Sequence, residues 1–306
     1  MAGIQARNIS KRWGDQAAID DVSFDAGPGQ VFGILGPDGG GKTTLFRILT
    51  TLLLPDKGTA TVDDLDIRRD YRRIRSRVGY MPGRFSLYQD LTVEENLTFY
   101  ASVFGTTIDE NYHLIKDIYQ QIEPFKDRRA GALSGGMKQK LALSCALIHK
   151  PAVLFLDEPT TGVDAVSRRE LWEMLLKLRD QGLCIAVSTP YMDEAAMCDR
   201  VALMMRGRFM AQDTPEGITR GFADRLLAVR GDRMPALLRD LRTMPGVLSC
   251  HAFGDSHHVT VVDDLDLGGL AGGLAARGHT DVQITPIAPG IEDCFMALAR
   301  DGGETK

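Results

Sequence analysis

Gly36-Pro37-Asp38-Gly39-Gly40-Gly41-Lys42-Thr43-Thr44 is the stretch whose reading decides the fold. It satisfies the spacing G-x-x-x-x-G-K-[ST], with Gly36, Gly41, Lys42 and Thr43 at the defining positions. The apolar run Val31-Phe32-Gly33-Ile34-Leu35 before it reads as a buried strand, and Leu45-Phe46-Arg47-Ile48-Leu49 after it reads as the start of a helix. Strand, glycine loop and helix are the context this motif requires. Glycines let a phosphate lie against bare backbone and reach the turn conformations cheaply. The loop N–H groups and the helix N-terminus then present positive potential. Lys42 is expected to reach the β- and γ-phosphates of a nucleotide, and the Thr43 hydroxyl to ligate Mg²⁺.

Outward from this loop, Val153-Leu154-Phe155-Leu156-Asp157-Glu158-Pro159 reads as a second buried strand that delivers two carboxylates to its C-terminal edge. Ligands bind at that edge in open α/β sheets. Asp157 is placed to hold Mg²⁺, directly or through water. Glu158 is placed to orient and deprotonate an attacking water.

Between these landmarks lies Leu133-Ser134-Gly135-Gly136-Met137, just ahead of a helical segment. In this order and spacing the chain resembles the ATP-binding cassette (ABC) ATPases over residues 1 to about 215. Met137 stands where the family usually carries glutamine. The resemblance implies an α/β P-loop NTPase fold with a RecA-like core, an antiparallel β subdomain and a helical subdomain at about 85–150. It implies ATP and Mg²⁺ as ligands, and two cassettes facing head to tail. Each ATP would lie between one loop from Gly36 to Thr44 and the Ser134, Gly135 and Gly136 of the other cassette. It also assigns Trp13 to adenine stacking, and Asp164 to a dimer-contacting loop, with capping of the next helix as a lesser reading that is compatible with the first. A transmembrane permease subunit is the other implied partner; nucleic acid is not.

Two positions depart from the family. Gly83, after Val78-Gly79-Tyr80-Met81-Pro82, stands where a glutamine touches Mg²⁺ and water. Pro190, after Cys184-Ile185-Ala186-Val187-Ser188-Thr189, stands where a histidine bonds the γ-phosphate. Proline offers neither a side-chain donor nor an N–H. Loss of one transition-state donor costs roughly 10²–10³ in rate by analogy with an oxyanion hole. Binding is expected to survive and hydrolysis at this chain's own site to be slow, so an asymmetric pair with a second cassette is expected. A homodimer with a relaxed mechanism and a regulatory subunit with little turnover are the alternatives. A non-transport cassette fits poorly, because such relatives carry tandem cassettes with charged linkers or long coiled coils.

With 306 residues the chain has room for two domains, and its net charge of -5 gives no global pull toward nucleic acid or anionic lipid. Five scattered cysteines suit free thiols in a reducing compartment. The first seven residues lack a basic-then-apolar leader, and no apolar run reaches membrane-spanning length. A peripheral position on the inner face of the cell membrane is therefore expected. Phe85, Leu87 and Tyr88 are candidates either for contact with a membrane subunit or for a local core cluster. Six arginines fall within Arg68–Arg77, with Tyr71 and Ile74 between them, and read as a solvated helix face. Residues 216–306 read as β-α-β-β-α-β, a ferredoxin-like α+β appendage. Its His251, His257 and His258 alternate in a strand pattern that points to opposite faces, and are expected at the surface.

Overall fold

In the computed structural model residues 3–301 are described; residues 1–2, part of the stretch read for a leader, lie outside them. Ile4–Trp13 (β1) and Gln16–Ala26 (β2) mix buried and exposed positions, as strands with one wet face do. Val31–Leu35 (β3) is buried at every position and leads through the glycine loop into Lys42–Leu49 (α1). Lys57–Val62 (β4) and Leu65–Asp66 (β5) follow. The antiparallel sheet β2-β1-β4-β5 is thereby complete. Tyr71–Arg75 (α2) and Val78–Met81 (β6) then bring the chain back to the core.

The helical part comprises Val93–Val103 (α3), Ile108–Tyr119 (α4) and Gly135–Leu147 (α5). Thr92 with Glu95 and Thr107 with Glu110 close capping boxes at α3 and α4. Leu87 is buried at 7% exposure and is core, whereas Tyr88 is exposed and meets Phe99 edge to face at 5.0 Å. Val153–Asp157 (β7), Ala165–Asp180 (α6), Cys184–Thr189 (β8), Arg200–Met205 (β9) and Arg208–Asp213 (β10) complete this part. The six-stranded sheet runs β10-β9-β3-β8-β7-β6, parallel except for the edge strand β10. β3, β7 and β8 are apolar on both faces because a parallel sheet is covered on both. The core joins both sheets around α1, with Phe24 stacked on Phe32 at 4.7 Å and Phe46 edge-on to Phe155 at 5.5 Å.

The chain divides into two compact units, Met1–Pro215 and Glu216–Lys306. Pro215–Arg220 (α7) spans the division. The second unit holds Arg225–Arg230 (β11), Met234–Leu241 (α8), Val247–Phe253 (β12), Ser256–Val261 (β13), Leu267–Ala276 (α9), Gln283–Pro286 (β14) and Ile291–Asp301 (α10). Its sheet, β12-β13-β11-β14, is antiparallel throughout, which is the split βαβ order. Leu227 and Val229 meet Leu237, Leu241, Leu270 and Leu274 in its core.

The histidine expectation needs correcting. His257 is buried, with Nε2 against the Met234 carbonyl at 2.7 Å. His251 and His258 are cross-strand partners and share a face, because strand pairing, not sequence alternation alone, sets who is neighbour to whom. His258 is half-buried, with Nδ1 2.7 Å from Asp293 Oδ1 and its ring stacked on Phe253 at 4.0 Å. All five cysteines are buried free thiols.

Candidate functional site

The glycine loop takes the shape its residues allow. A Cβ on Gly36 would lie 2.0 Å from the Met204 carbonyl oxygen, so β9 can pass this close only to glycine. Gly41 has φ 111°, and a Cβ there would meet the Ala18 carbonyl at 2.6 Å. Gly41 is also the N-cap of α1, and no side chain caps that helix. The first N–H groups of a helix have no partner within it. At α1 they are therefore left to whatever lies over the loop, and the helix dipole favours an anion there.

Lys42 is buried at 3% exposure and its Nζ is held three ways. It donates to the Gly36 and Pro37 carbonyls at 2.9 and 3.0 Å and pairs with Glu158 Oε1 at 3.2 Å. Glu158 reaches it because its backbone is left-handed, φ 52°, which turns the side chain away from the line of β7. The Glu158 N–H donates to the Ser188 carbonyl at 3.0 Å and to Ser188 Oγ at 3.1 Å, which holds that turn in place. Ser188 Oγ donates in turn to Asp157 Oδ1 at 2.5 Å. Asp157 is buried, and its charge together with burial pushes the Tyr80 hydroxyl up to about 12, burial being the larger cause.

A cavity of about 210 Å³ is lined by Trp13, Gln16, Ala17, Ala18, Gly39, Gly40, Gly41, Lys42, Thr43, Thr44 and Glu158. Thus the exposed indole of Trp13, 57% accessible, shares one hollow with the glycine loop, the lysine and the acid from β7. Lys11 Nζ lies 5.3 Å from that ring centroid. Gly36, Pro37 and Asp38 build the loop without lining the hollow, and Asp157 stands outside the lining too. Gln16 to Ala18 were not anticipated; they enter because β2 pairs with β1 beside Trp13, a pairing no local signal announces. Ser188 was also missed, although it is the direct partner of Asp157 across β7 and β8.

Ser134, Gly135, Gly136 and Asp164 do not line this hollow. Ser134 is the N-cap of α5, its oxygen accepting from the Met137 N–H at 3.4 Å. Asp164 caps α6 through the N–H groups of Val166 and Ser167 and takes the Ser167 hydroxyl at 2.8 Å. Those bonds, the Ser167 N–H foremost, hold its carboxyl below the ordinary value of 3.8. A Cβ on Gly136 would fall 2.4 Å from Ser167 Oγ. The start of α5 and the start of α6 are thus packed against each other, and glycine at 136 is what allows it.

At the two departures, a Cβ on Gly83 would lie 3.0 Å from the Asp157 carbonyl oxygen, beside the acidic strand. Pro190 follows Thr189, whose carbonyl accepts the Gly36 N–H at 3.2 Å, so residue 190 sits next to the mouth of the glycine loop.

A family model described as ABC transporter matches residues 19–161. The chain is 38% identical over 312 aligned residues to the "Probable multidrug ABC transporter ATP-binding protein YbhF" of Escherichia coli (strain K12). That match takes in 100% of this chain and 53% of the relative, so the chain spans about half the relative's length. It is 38% identical over 221 residues to the Nod factor export ATP-binding protein I of Burkholderia lata, covering 71% of this chain and 73% of that one. Among solved structures, the ATP-binding subunit of an ABC transporter superposes with a TM-score of 0.66 at 25% identity, over 72% of this chain and 92% of the other.

Proposed function

The chain belongs to the ABC transporter family of ATP-binding cassettes, and from that premise we propose that it is the ATP-binding and ATP-hydrolysing subunit of a membrane exporter. One observation carries the reading. An uncapped helix N-terminus, a buried lysine and a strand-end glutamate converge on a hollow with an exposed indole at its wall. This is a receptor for a triphosphate joined to an aromatic base.

In this reading Trp13 stacks on the adenine, and the Gly36–Thr44 backbone with Lys42 takes the phosphates. Lys42 must leave Glu158 to do so, which frees the carboxylate to accept a proton from water. Thr43 and Asp157 are the groups that would hold Mg²⁺. The buried carboxylate of Asp157, with one lone pair taken by Ser188, has acceptor capacity left for a cation. Mg²⁺ when bound would neutralise charge developing on the phosphates. Ser134 to Gly136 and Asp164 lie outside the hollow and are offered to the ATP of a second cassette. Residues 85–150 form the helical subdomain that meets a transmembrane permease subunit. Among the described residues no helix is long and apolar enough to cross a membrane, so a peripheral seat on the inner face of the cell membrane is part of the proposal. Export is favoured by the relatives' names, Nod factor export and multidrug transport. Nucleic acid is not proposed as a partner. Residues 216–306 are proposed to be an appendage to the cassette domain of 1–215.

Gly83 and Pro190 leave the region where the γ-phosphate would lie without a side-chain contact to Mg²⁺ and water and without a γ-phosphate donor, so this site retains nucleotide and turns over slowly while a partner cassette turns over faster. The test is equilibrium ATP binding and steady-state turnover by the purified chain. Micromolar binding that Lys42→Ala abolishes, with turnover below about 1 s⁻¹, the low end of ordinary enzymes, is expected. Rapid turnover by the chain alone would remove the asymmetric pair and leave the homodimeric ATPase.

A further inference from the structure

The arginine-rich stretch from Arg68 to Arg77 takes no part in the nucleotide hollow, and all six of its arginines are exposed. It does not stand alone on the surface. After α1, Thr51 adopts φ 62°, a left-handed conformation rare for a β-branched residue. That turn sends Leu53 against the core and leaves Leu52 and Leu54 outside, 56% and 57% exposed. Arg75 ties the turn to α2, donating from Nε to Thr51 Oγ1 at 2.9 Å and from Nη2 to the Thr51 carbonyl at 2.8 Å. Arg68 Nη2 donates to the Pro55 carbonyl at 2.7 Å. The leucine loop and the arginine stretch are therefore stapled into one face. Tyr71, also exposed, lies between Arg72 and Arg75, whose guanidinium carbons are 5.7 and 5.4 Å from its ring centroid.

We propose that this face docks on an anionic lipid bilayer. Its charge comes from guanidinium groups that the neighbouring acids, Asp56, Asp63, Asp66 and Asp70, offset only in part. Arg68 and Arg75 bond carbonyl and hydroxyl oxygens, and Arg72 lies by an aromatic ring. Acids do offset part of the stretch: Asp63 pairs with Arg77 at 2.6 Å, Asp70 with Arg73 at 3.3 Å, and Asp66 takes the main-chain N–H groups of Arg68 and Arg69. Guanidinium matches phosphate geometry in pairs of hydrogen bonds. The apolar component is two leucines and a tyrosine. That is too little for the core of a stable protein interface, which covers roughly 800 Å² on each partner. It suits shallow insertion into a headgroup layer, where tyrosine and arginine both settle. The exposed leucines need the staple, since a floppy loop would lose more order on insertion. The inference goes beyond the ATP reading and does not depend on it.

The experiment is co-sedimentation of the full chain with vesicles of phosphatidylcholine alone and of phosphatidylcholine and phosphatidylglycerol in equal parts. Binding to the anionic vesicles, weakening as salt rises, is expected. Each arginine near such a surface contributes roughly fivefold, so Arg69→Gln with Arg72→Gln should cost roughly 25-fold. Leu52→Ser with Leu54→Ser should cost roughly tenfold through lost apolar burial. Thermal melting and ATP affinity should stay at parental values in both double variants; because the two pairs sit on different segments, misfolding of one leaves the other decisive. Equal binding to neutral and anionic vesicles overturns the proposal. So does binding that neither pair weakens. Absence of vesicle binding, with these same variants losing capture of a solubilised membrane subunit, overturns it in favour of a protein occupant.

Discussion

Replacing Pro190 with histidine is expected to speed phosphate release from bound ATP by about tenfold to a hundredfold. The position is placed by backbone pairing: β3 and β8 run in parallel with Leu35 opposite Thr189, and the Thr189 carbonyl accepts the Gly36 N–H at 3.2 Å. Residue 190 is thus one peptide beyond the start of the phosphate loop. A well-placed donor to developing charge is worth about 2.7–4 kcal/mol in a dry site. Residue 190 is half-buried, so water screens part of that, and about 1.4–2.7 kcal/mol, one to two decades, is the working figure. The assay is single-turnover phosphate release at saturating ATP and Mg²⁺, with Pro190→Ala alongside. Alanine removes the ring without adding a donor and should match the parent. Both variants lose the chain stiffness of proline, which costs about 0.4–1 kcal/mol of stability, so rates must be read well below the melting range. A folded, ATP-binding histidine variant at the parental rate would refute the reasoning, as would an alanine variant equally accelerated.

Glu158→Gln should separate binding from chemistry: with the Lys42 ion pair gone, ATP affinity holds or tightens, while single-turnover hydrolysis falls by about 10²-fold or more. Parallel loss of both would mean that Glu158 serves the fold of the loop instead. Gly136→Ala places a methyl 2.4 Å from Ser167 Oγ and should destabilise by about 1–3 kcal/mol in urea denaturation, with wild-type stability arguing against the close packing of α5 on α6. Asp164 has its carboxyl held below the ordinary value by the Ser167 and Val166 bonds, so its contribution is whole above pH 3.8 and disappears as pH falls through the lower folded value. Melting temperatures of the parent should therefore drop below that pH more steeply than those of Asp164→Asn, and superimposable profiles would exclude the cap from acid unfolding.

Much of the fold was legible in local patterns. Runs of buried strand residues, the capping box at Thr92 and Glu95, and the βαββαβ rhythm of residues 216–306 report backbone preferences that neighbours in sequence enforce. The second capping box, Thr107 with Glu110, carries the same local signal. Leu87 reads two ways in the sequence and His257 reads wrongly as a surface residue, because burial depends on what packs over them from elsewhere. The pair His251 and His258 shows the limit: alternation orders side chains within a strand, but only the β12–β13 register sets them opposite one another.

The sequence by itself carries the expectation that residues 36–44 bind phosphate-like charge, because a glycine-rich turn between an apolar strand and a helix is a local feature whose chemistry can be read without the fold. It also shows that the glutamine and histidine implied by the family resemblance are absent at residues 83 and 190, since neither a glycine nor a proline offers a polar side-chain group in any fold. What only the tertiary structure decided is how distant groups meet. Glu158 reaches Lys42 through a left-handed turn held by Ser188, Gly136 is required by Ser167, and Leu52 and Leu54 are held outward by Arg75. Each of these contacts joins segments far apart in the chain, and its geometry is set by strand register and helix packing, which no short stretch of sequence specifies.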